Sequence, residues 1–268
     1  MRFGFVCFGQ ILRLEWGNEK VFRISSVLKL AAGAAFFFAG AISAAQAMSV
    51  TPIHVEMASA GNNSRTQVTV HNNGKDPLPV ETALERLTLD ENGNRKTAKA
   101  GDDFLVFPPQ AIIPAGGTQV FRLQWVGEPM LAQSQSYMMS VSQVPVKLPK
   151  GQSKLQVVMS FGVVINVAPP QAQPALKVVG SGLTTDGKGK RRPFVTVENP
   201  TKFHALLPDG KLSLAGPGWQ HTLSQTEMRE KLGIGLVQPG KRRRFVLPLD
   251  LPANVSSVQA SLDYRRKN

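Results

Sequence analysis

The chain has 268 residues, a formal net charge of +13 and one cysteine, Cys7. A lone cysteine near the N-terminus excludes a disulfide framework, so stability must come from packed cores, which a chain of this length can build. The basic balance favours an acidic partner: nucleic acid, an anionic membrane or an acidic protein.

The N-terminus sets the compartment. Positive charges between Arg23 and Lys29 precede an apolar run of 16 residues, Leu30 to Ala45, which ends in the small-x-small sequence Ala45-Gln46-Ala47. This is the pattern of a secretory signal peptide cleaved after Ala47. The run is short of the roughly 20 residues a membrane-spanning helix needs. Met1 to Lys20 fits such a leader poorly, whereas the 27 residues from Val21 to Ala47 fit it well, so translation is expected to start at Val21. Cleavage leaves 221 residues and no cysteine. It removes five basic and two acidic residues, which leaves a net charge of +10. Secretion argues against nucleic acid as the partner. The excess charge in Lys190 to Arg192, Lys241 to Arg244 and Arg265 to Lys267 is read first as solvated surface.

The mature chain reads as β throughout, with Val-, Thr-, Phe- and Leu-rich runs between Gly, Pro, Asn and Asp clusters. Gln67 to His71 alternates cleanly and closes at Asn72-Asn73-Gly74. Pro79 to Leu89 follows, with Glu91 to Asn94 as its hairpin turn. Phe104 to Phe107 stops at Pro108-Pro109. Thr118 to Trp125 follows the turn Pro114 to Gly117. Tyr137 to Val146 and Lys154 to Val167 flank a polar loop, Leu148 to Ser153. About seven strands before residue 168 suggest one immunoglobulin-size sandwich. The Pro-rich segment 169–175 reads as a linker. Strands resume at Leu176 to Val179, Phe194 to Glu198, Lys211 to Leu214, Lys241 to Leu247 and Val258 to Tyr264. Ser224 to Leu232 is the only helix-like stretch. The expectation is an all-β chain with sandwich domains over 48–168 and 176–268.

No catalytic constellation is visible. The four histidines, His54, His71, His204 and His221, lack metal-ligand spacing, and no nucleophile elbow or phosphate loop is present. No enzyme activity, cofactor or small-molecule substrate is expected. Asn62-Asn63-Ser64 and Asn254-Val255-Ser256 match the short N-glycosylation pattern, which chance meets easily.

The informative feature is Leu155 to Ile165. Side chains alternate faces along a strand, so Leu155, Val157, Met159, Phe161, Val163 and Ile165 make one continuous apolar face. An ordinary core strand would show this pattern. So would a strand whose apolar knobs enter a partner's open groove, the mode of strand donation. An exposed edge of that kind needs a client or a cap.

Here the chain resembles the periplasmic pilus chaperones of the chaperone–usher pathway, the PapD-like family. The pieces occur in the family's order: Val50 to Met57, Val68 to Asn72, Phe107-Pro108-Pro109, Ile113 to Gly116, Gln119 to Leu123, the strands Tyr137 to Pro145 and Leu155 to Pro169, Val197 to His204, and Val237 to Gly240. The resemblance implies two immunoglobulin-like domains set at an angle about a cleft. It implies a periplasmic chaperone that completes pilus subunits with its own strand and hands them to an outer-membrane usher. The donor side chains would be Leu155, Val157, Met159 and Phe161. The family usually holds the subunit's C-terminal carboxylate with two basic cleft residues. Those positions carry His54 and Val164 here, and Arg122 is the nearest matching basic residue, so His54 and Arg122 are the candidate anchors. Gln143 and Ala168 stand where a charged interdomain pair is common. These departures imply a divergent branch with its anchoring rearranged. Self-association of the free chain would be one way to cap the donor strand. The rival readings are a stand-alone secreted adhesin or structural module, and an enzyme with an unrecognised site.

Overall fold

The computed structural model describes residues 48–145, 158–170 and 173–264. The leader, Leu155 and Val157, the loop Leu148 to Ser153, part of the expected linker and the basic C-terminal tail lie outside the described residues.

The first sandwich is built from β1 (Met48–Thr51), β2 (His54–Ala58), β3 (Arg65–Asn72), β4 (Leu78–Leu89), β5 (Arg95–Lys99), β6 (Phe104–Phe107), β7 (Gln110–Ile113), β8 (Thr118–Trp125), β9 (Gln135–Gln143) and β10 (Ser160–Ala168). One sheet has the order β1-β3-β8-β6 and the other β2-β10-β9-β4-β5, with β7 also paired to β4. Val50 to Met57, expected as one strand, is two. Pro52 has no N–H to give a ladder, so pairing of β1 with β3 ends at Thr51, and the chain crosses to the opposite sheet as β2. The inward residues of both sheets meet in one core. Val68, Val70, Phe121, Tyr137, Met139, Val141, Val163, Ile165 and Val167 are all fully buried there.

The second sandwich comprises β11 (Lys177–Thr185), β12 (Arg191–Glu198), β13 (Ala205–Leu206), β14 (Lys211–Gly216), β15 (Trp219–Leu223), α1 (Gln225–Leu232), β16 (Leu236–Val237), β17 (Arg242–Val246) and β18 (Gln259–Asp263). Its sheets run β11-β12-β17 and β15-β14-β18, with the short pair β13-β16. Its separate core gathers Val195, Val197, Leu207, Leu212, Leu214, Leu223, Met228 and Leu247. The helix begins where expected. The Ser224 hydroxyl accepts from the Glu227 N–H at 3.1 Å, and Gly233, at φ +64°, ends it. With only Met228 buried along it, its position depends on that single contact more than on an apolar stripe.

Each sandwich is fastened by a buried asparagine at the end of a strand, Asn72 closing β3 and Asn199 following β12. Asn72 Nδ2 donates to the carbonyls of Asp76, Ile113 and Pro114 at 2.8, 3.0 and 3.0 Å, and its Oδ1 accepts from the Gly74 N–H at 2.9 Å. Asn199 Nδ2 donates to the carbonyls of Phe203 and Val237 at 2.7 and 3.0 Å, and its Oδ1 accepts from the Thr201 N–H at 3.0 Å. A side-chain amide supplies both donors and an acceptor, which satisfies turn backbone that no strand reaches.

In the two described basic runs, three arginines are engaged by the fold. Arg192 pairs with Asp186 and Asp250, Arg242 with Glu198, and the Arg244 guanidinium lies 3.8 Å from the centroid of Phe194.

Candidate functional site: the open edge of β10 and the cleft below it

β10 is paired along its whole length to β9, from Ser160↔Ser142 to Val167↔Gln135. Its other edge changes halfway. Parallel pairing with β2 starts only at Val164↔His54 and runs to Ala168↔Ala58. The Val164 N–H donates to the Ile53 carbonyl at 3.0 Å, which places the backbone groups of even-numbered residues on that edge. By the same alternation the N–H and C=O of Gly162 and Ser160 point to that side, where no strand lies among the described residues. Odd-numbered backbone groups face β9, as the Gln143 N–H to Met159 carbonyl bond of 2.9 Å shows.

The apolar face of this strand points inward. Val163, Ile165 and Val167 are fully buried, and Met159 and Phe161 are partly buried against the same core. The two described members of the expected donor set thus extend the chain's own core toward the open edge. On the opposite face Val158 is 47% exposed and Gly162 is exposed. A Cβ at Gly162 would lie 2.7 Å from the Met138 sulfur, so the small residue leaves room for Met138 on the outer face.

The two positions at which the family carries basic residues are brought together, since His54 and Val164 are direct partners across β2 and β10. His54 is not a free cation, however. Its Nε2 lies 2.7 Å from Glu56 Oε1 and 3.0 Å from Asn166 Nδ2. Arg122 is not brought to them. It sits on β8 in the other sheet, opposite Gln67 and Phe107.

The centre of the cleft is Glu56, which the sequence did not single out. Its Oε1 accepts from Asn166 Nδ2 at 2.9 Å, and its Oε2 lies 2.5 Å from His204 Nε2, a residue of the second sandwich. Asn166 Oδ1 in turn accepts from the Ser136 hydroxyl at 2.8 Å. Burial by itself raises the Glu56 pKa. Hydrogen bonds from His204 and His54, the charge of His204 and the Asn166 amide outweigh it and hold the carboxyl at about 2. Glu56–His204 thus joins the two sandwiches through a carboxylate–imidazole contact, while Gln143 and Ala168 carry no charge. Gln238 adds a second tie, accepting from the Leu89 N–H and donating to the Leu87 carbonyl, both at 2.8 Å. A third joins the Arg244 N–H to the Glu91 carbonyl at 2.7 Å. One sequence signal pointed here: Asn166 interrupts an otherwise apolar run, and a polar residue in such a run needs partners.

Residues 47–172 match the family "Pili and flagellar-assembly chaperone, PapD N-terminal domain". The match spans 126 of the 268 residues and is consistent with the resemblance to PapD-like chaperones. Among solved structures, the fold is similar to the CsuC–CsuE chaperone–tip adhesion subunit pre-assembly complex of Acinetobacter baumannii, at 17% identity, covering 80% of this chain and 96% of that chain, with a TM-score of 0.47. It is also similar to the E. coli chaperone DraB, at 18% identity, covering 81% and 92%, with a TM-score of 0.46. A third is the SafA pilin–SafB chaperone complex of Salmonella enterica, at 17% identity, covering 75% and 84%, with a TM-score of 0.46. No curated protein sequence matches the chain.

Proposed function

We propose that the chain is a periplasmic assembly chaperone that binds incomplete pilus subunits through the open edge of β10 and delivers them to an outer-membrane usher. The observation that carries this reading is an unpaired strand edge at 158–163 whose apolar side chains continue the chain's own core, within a domain of the pilus-chaperone family. A subunit lacking one strand would pair with the free groups of Ser160 and Gly162. Its open groove would receive Leu155, Val157, Met159 and Phe161. Each side chain moved out of water stabilises such a complex by about 1.5–3 kcal/mol before ordering costs, and main-chain bonds along the edge fix the register. The leader ending at Ala47 would direct export, and 169–175 would serve as the hinge between the sandwiches.

The test is co-purification from the periplasm with a C-terminal tag, in parallel for the natural chain and Met159→Asp. The expected result is one small pilin-like protein in equimolar amount with the natural chain and none with the variant. A clean monomer from cells shown to express candidate subunits overturns the reading in favour of a stand-alone binding module.

A further inference from the structure

The chain holds eight methionines, and all but Met1 follow the leader. A chain cut after Ala47 has no thiol, so these seven thioethers are its only oxidisable sulfur. The fold sorts them sharply. Met48, Met57, Met138, Met139 and Met228 are each at most 7% exposed. Met130 is 79% exposed, in the loop between β8 and β9. Met159 stands between these extremes. It is partly buried against the core of the first sandwich, at the point where the open edge begins.

Its surroundings give a small oxidant access. Val158 and Ser160 on either side are exposed, and no strand covers that edge among the described residues. The five buried sulfurs are reached only through opening of the fold, which costs free energy that an edge position does not need. Met159 is also the one accessible methionine on the apolar face of the strand, whereas Met130 lies in a loop away from it.

We propose that Met159 is an oxidation site through which hydrogen peroxide turns client capture off. A sulfur lone pair takes one oxygen atom from peroxide. An S–O bond forms, the O–O bond breaks, and water leaves. The sulfur is oxidised by two electrons and the peroxide is reduced by two. An apolar side chain becomes a polar one with a strong acceptor. In an apolar groove that acceptor finds no donor, so the modified strand no longer matches a subunit. A bound subunit covers Met159, so occupancy and oxidation exclude each other. The effect on capture rests on the proposed chaperone function; the selective oxidation of Met159 does not.

The experiment exposes the purified chain to hydrogen peroxide, removes the oxidant and maps sulfoxide by peptide mass spectrometry. Met130 is expected to react first and Met159 next, with the five buried methionines at least about tenfold slower than Met159. The treated chain is then offered the pilin-like protein that co-purifies with the untreated chain. Capture is expected to fall roughly tenfold or more once Met159 is sulfoxide. It should return after incubation with methionine sulfoxide reductases of both epimer specificities. Met130→Leu should lose capture on oxidation as the natural chain does. Met159→Leu, a change that nearly conserves volume, should lose none relative to its own untreated level. Reaction of Met159 as slow as that of the buried five overturns the proposal, and so does unchanged capture with Met159 fully oxidised. Selective oxidation of Met159 in a chain that captures no pilin-like protein before treatment overturns the chaperone reading instead, and the switch with it.

Discussion

The two halves of β10 share one apolar alternation and have opposite surroundings. From Val164 to Ala168 the strand lies between β2 and β9, and Ile165, Asn166 and Val167 are fully buried. From Ser160 to Val163 it has β9 alone, with Met159 and Phe161 only partly covered. The lower half anchors the strand in its own domain, and in the upper half one backbone edge has no strand partner among the described residues. An edge strand usually carries protection such as charge or early termination. Here the described part of the open edge, from Val158 to Val163, carries no charged residue.

Substitutions should separate the halves. Met159→Asp brings an unpaired carboxylate to the apolar track and is expected to reduce client capture at least about a hundredfold. Its effect on the stability of the free chain should stay near about 1 kcal/mol, because Met159 is only partly buried. Client pull-down beside a urea titration reads both numbers, and a large stability loss would mean that the upper half is core after all. Ile165→Ala should do the reverse, costing about 2–5 kcal/mol in urea denaturation, since the site is closed on all sides.

Asn166→Ala ranks next. It leaves the Ser136 hydroxyl without its acceptor and takes one of two donors from Glu56 Oε1, at a cost of about 1–3 kcal/mol. Glu56 also makes the lower half sensitive to acid. Its carboxyl is held at about 2 against an ordinary 4.5, so its stabilising contribution is complete above about pH 4.5 and is lost as pH falls toward 2. The stability difference between the natural chain and Glu56→Gln should therefore be present at pH 5 and shrink as pH falls from 5 to 2. A difference independent of pH would show that the Glu56–His204 contact does not act through charge. The smallest effect is expected from Gly162→Ala, whose Cβ must displace the flexible end of Met138 at about 0.5–1.5 kcal/mol.

Much of the fold was legible because it depends on local rules. Alternation located β3, β4, β6 and β8 closely, and Ser224 with Gly233 bracketed the helix. Leu176 to Val179 was read too short. β11 runs on to Thr185 through Gly180 and Gly182, where glycine meets a close neighbour: a Cβ at Gly182 would lie 3.1 Å from the Phe194 ring. β7 and β15 went unread, the first because four residues beside Pro108-Pro109 look like loop, the second because Trp219 to Leu223 is half polar. The opposite roles of the two halves of β10 were not legible, since nothing in its sequence says where β2 begins.

By itself the sequence determined the all-β class, the alternating apolar face ending in Ile165, the absence of disulfides in any chain cut after Ala47 and the resemblance to pilus chaperones. These follow from periodicity and from residue order, which neighbours along the chain express without help. Only the tertiary structure decided that Arg122 lies away from His54, and that Glu56 rather than an arginine organises the cleft with His204, 148 positions away. It alone placed Arg243 half-buried beside Gly93, with its Nε without a hydrogen-bond partner among the described residues. Such pairings depend on how two sheets and two sandwiches meet, and the energy of a buried charge is set by the groups that surround it in space.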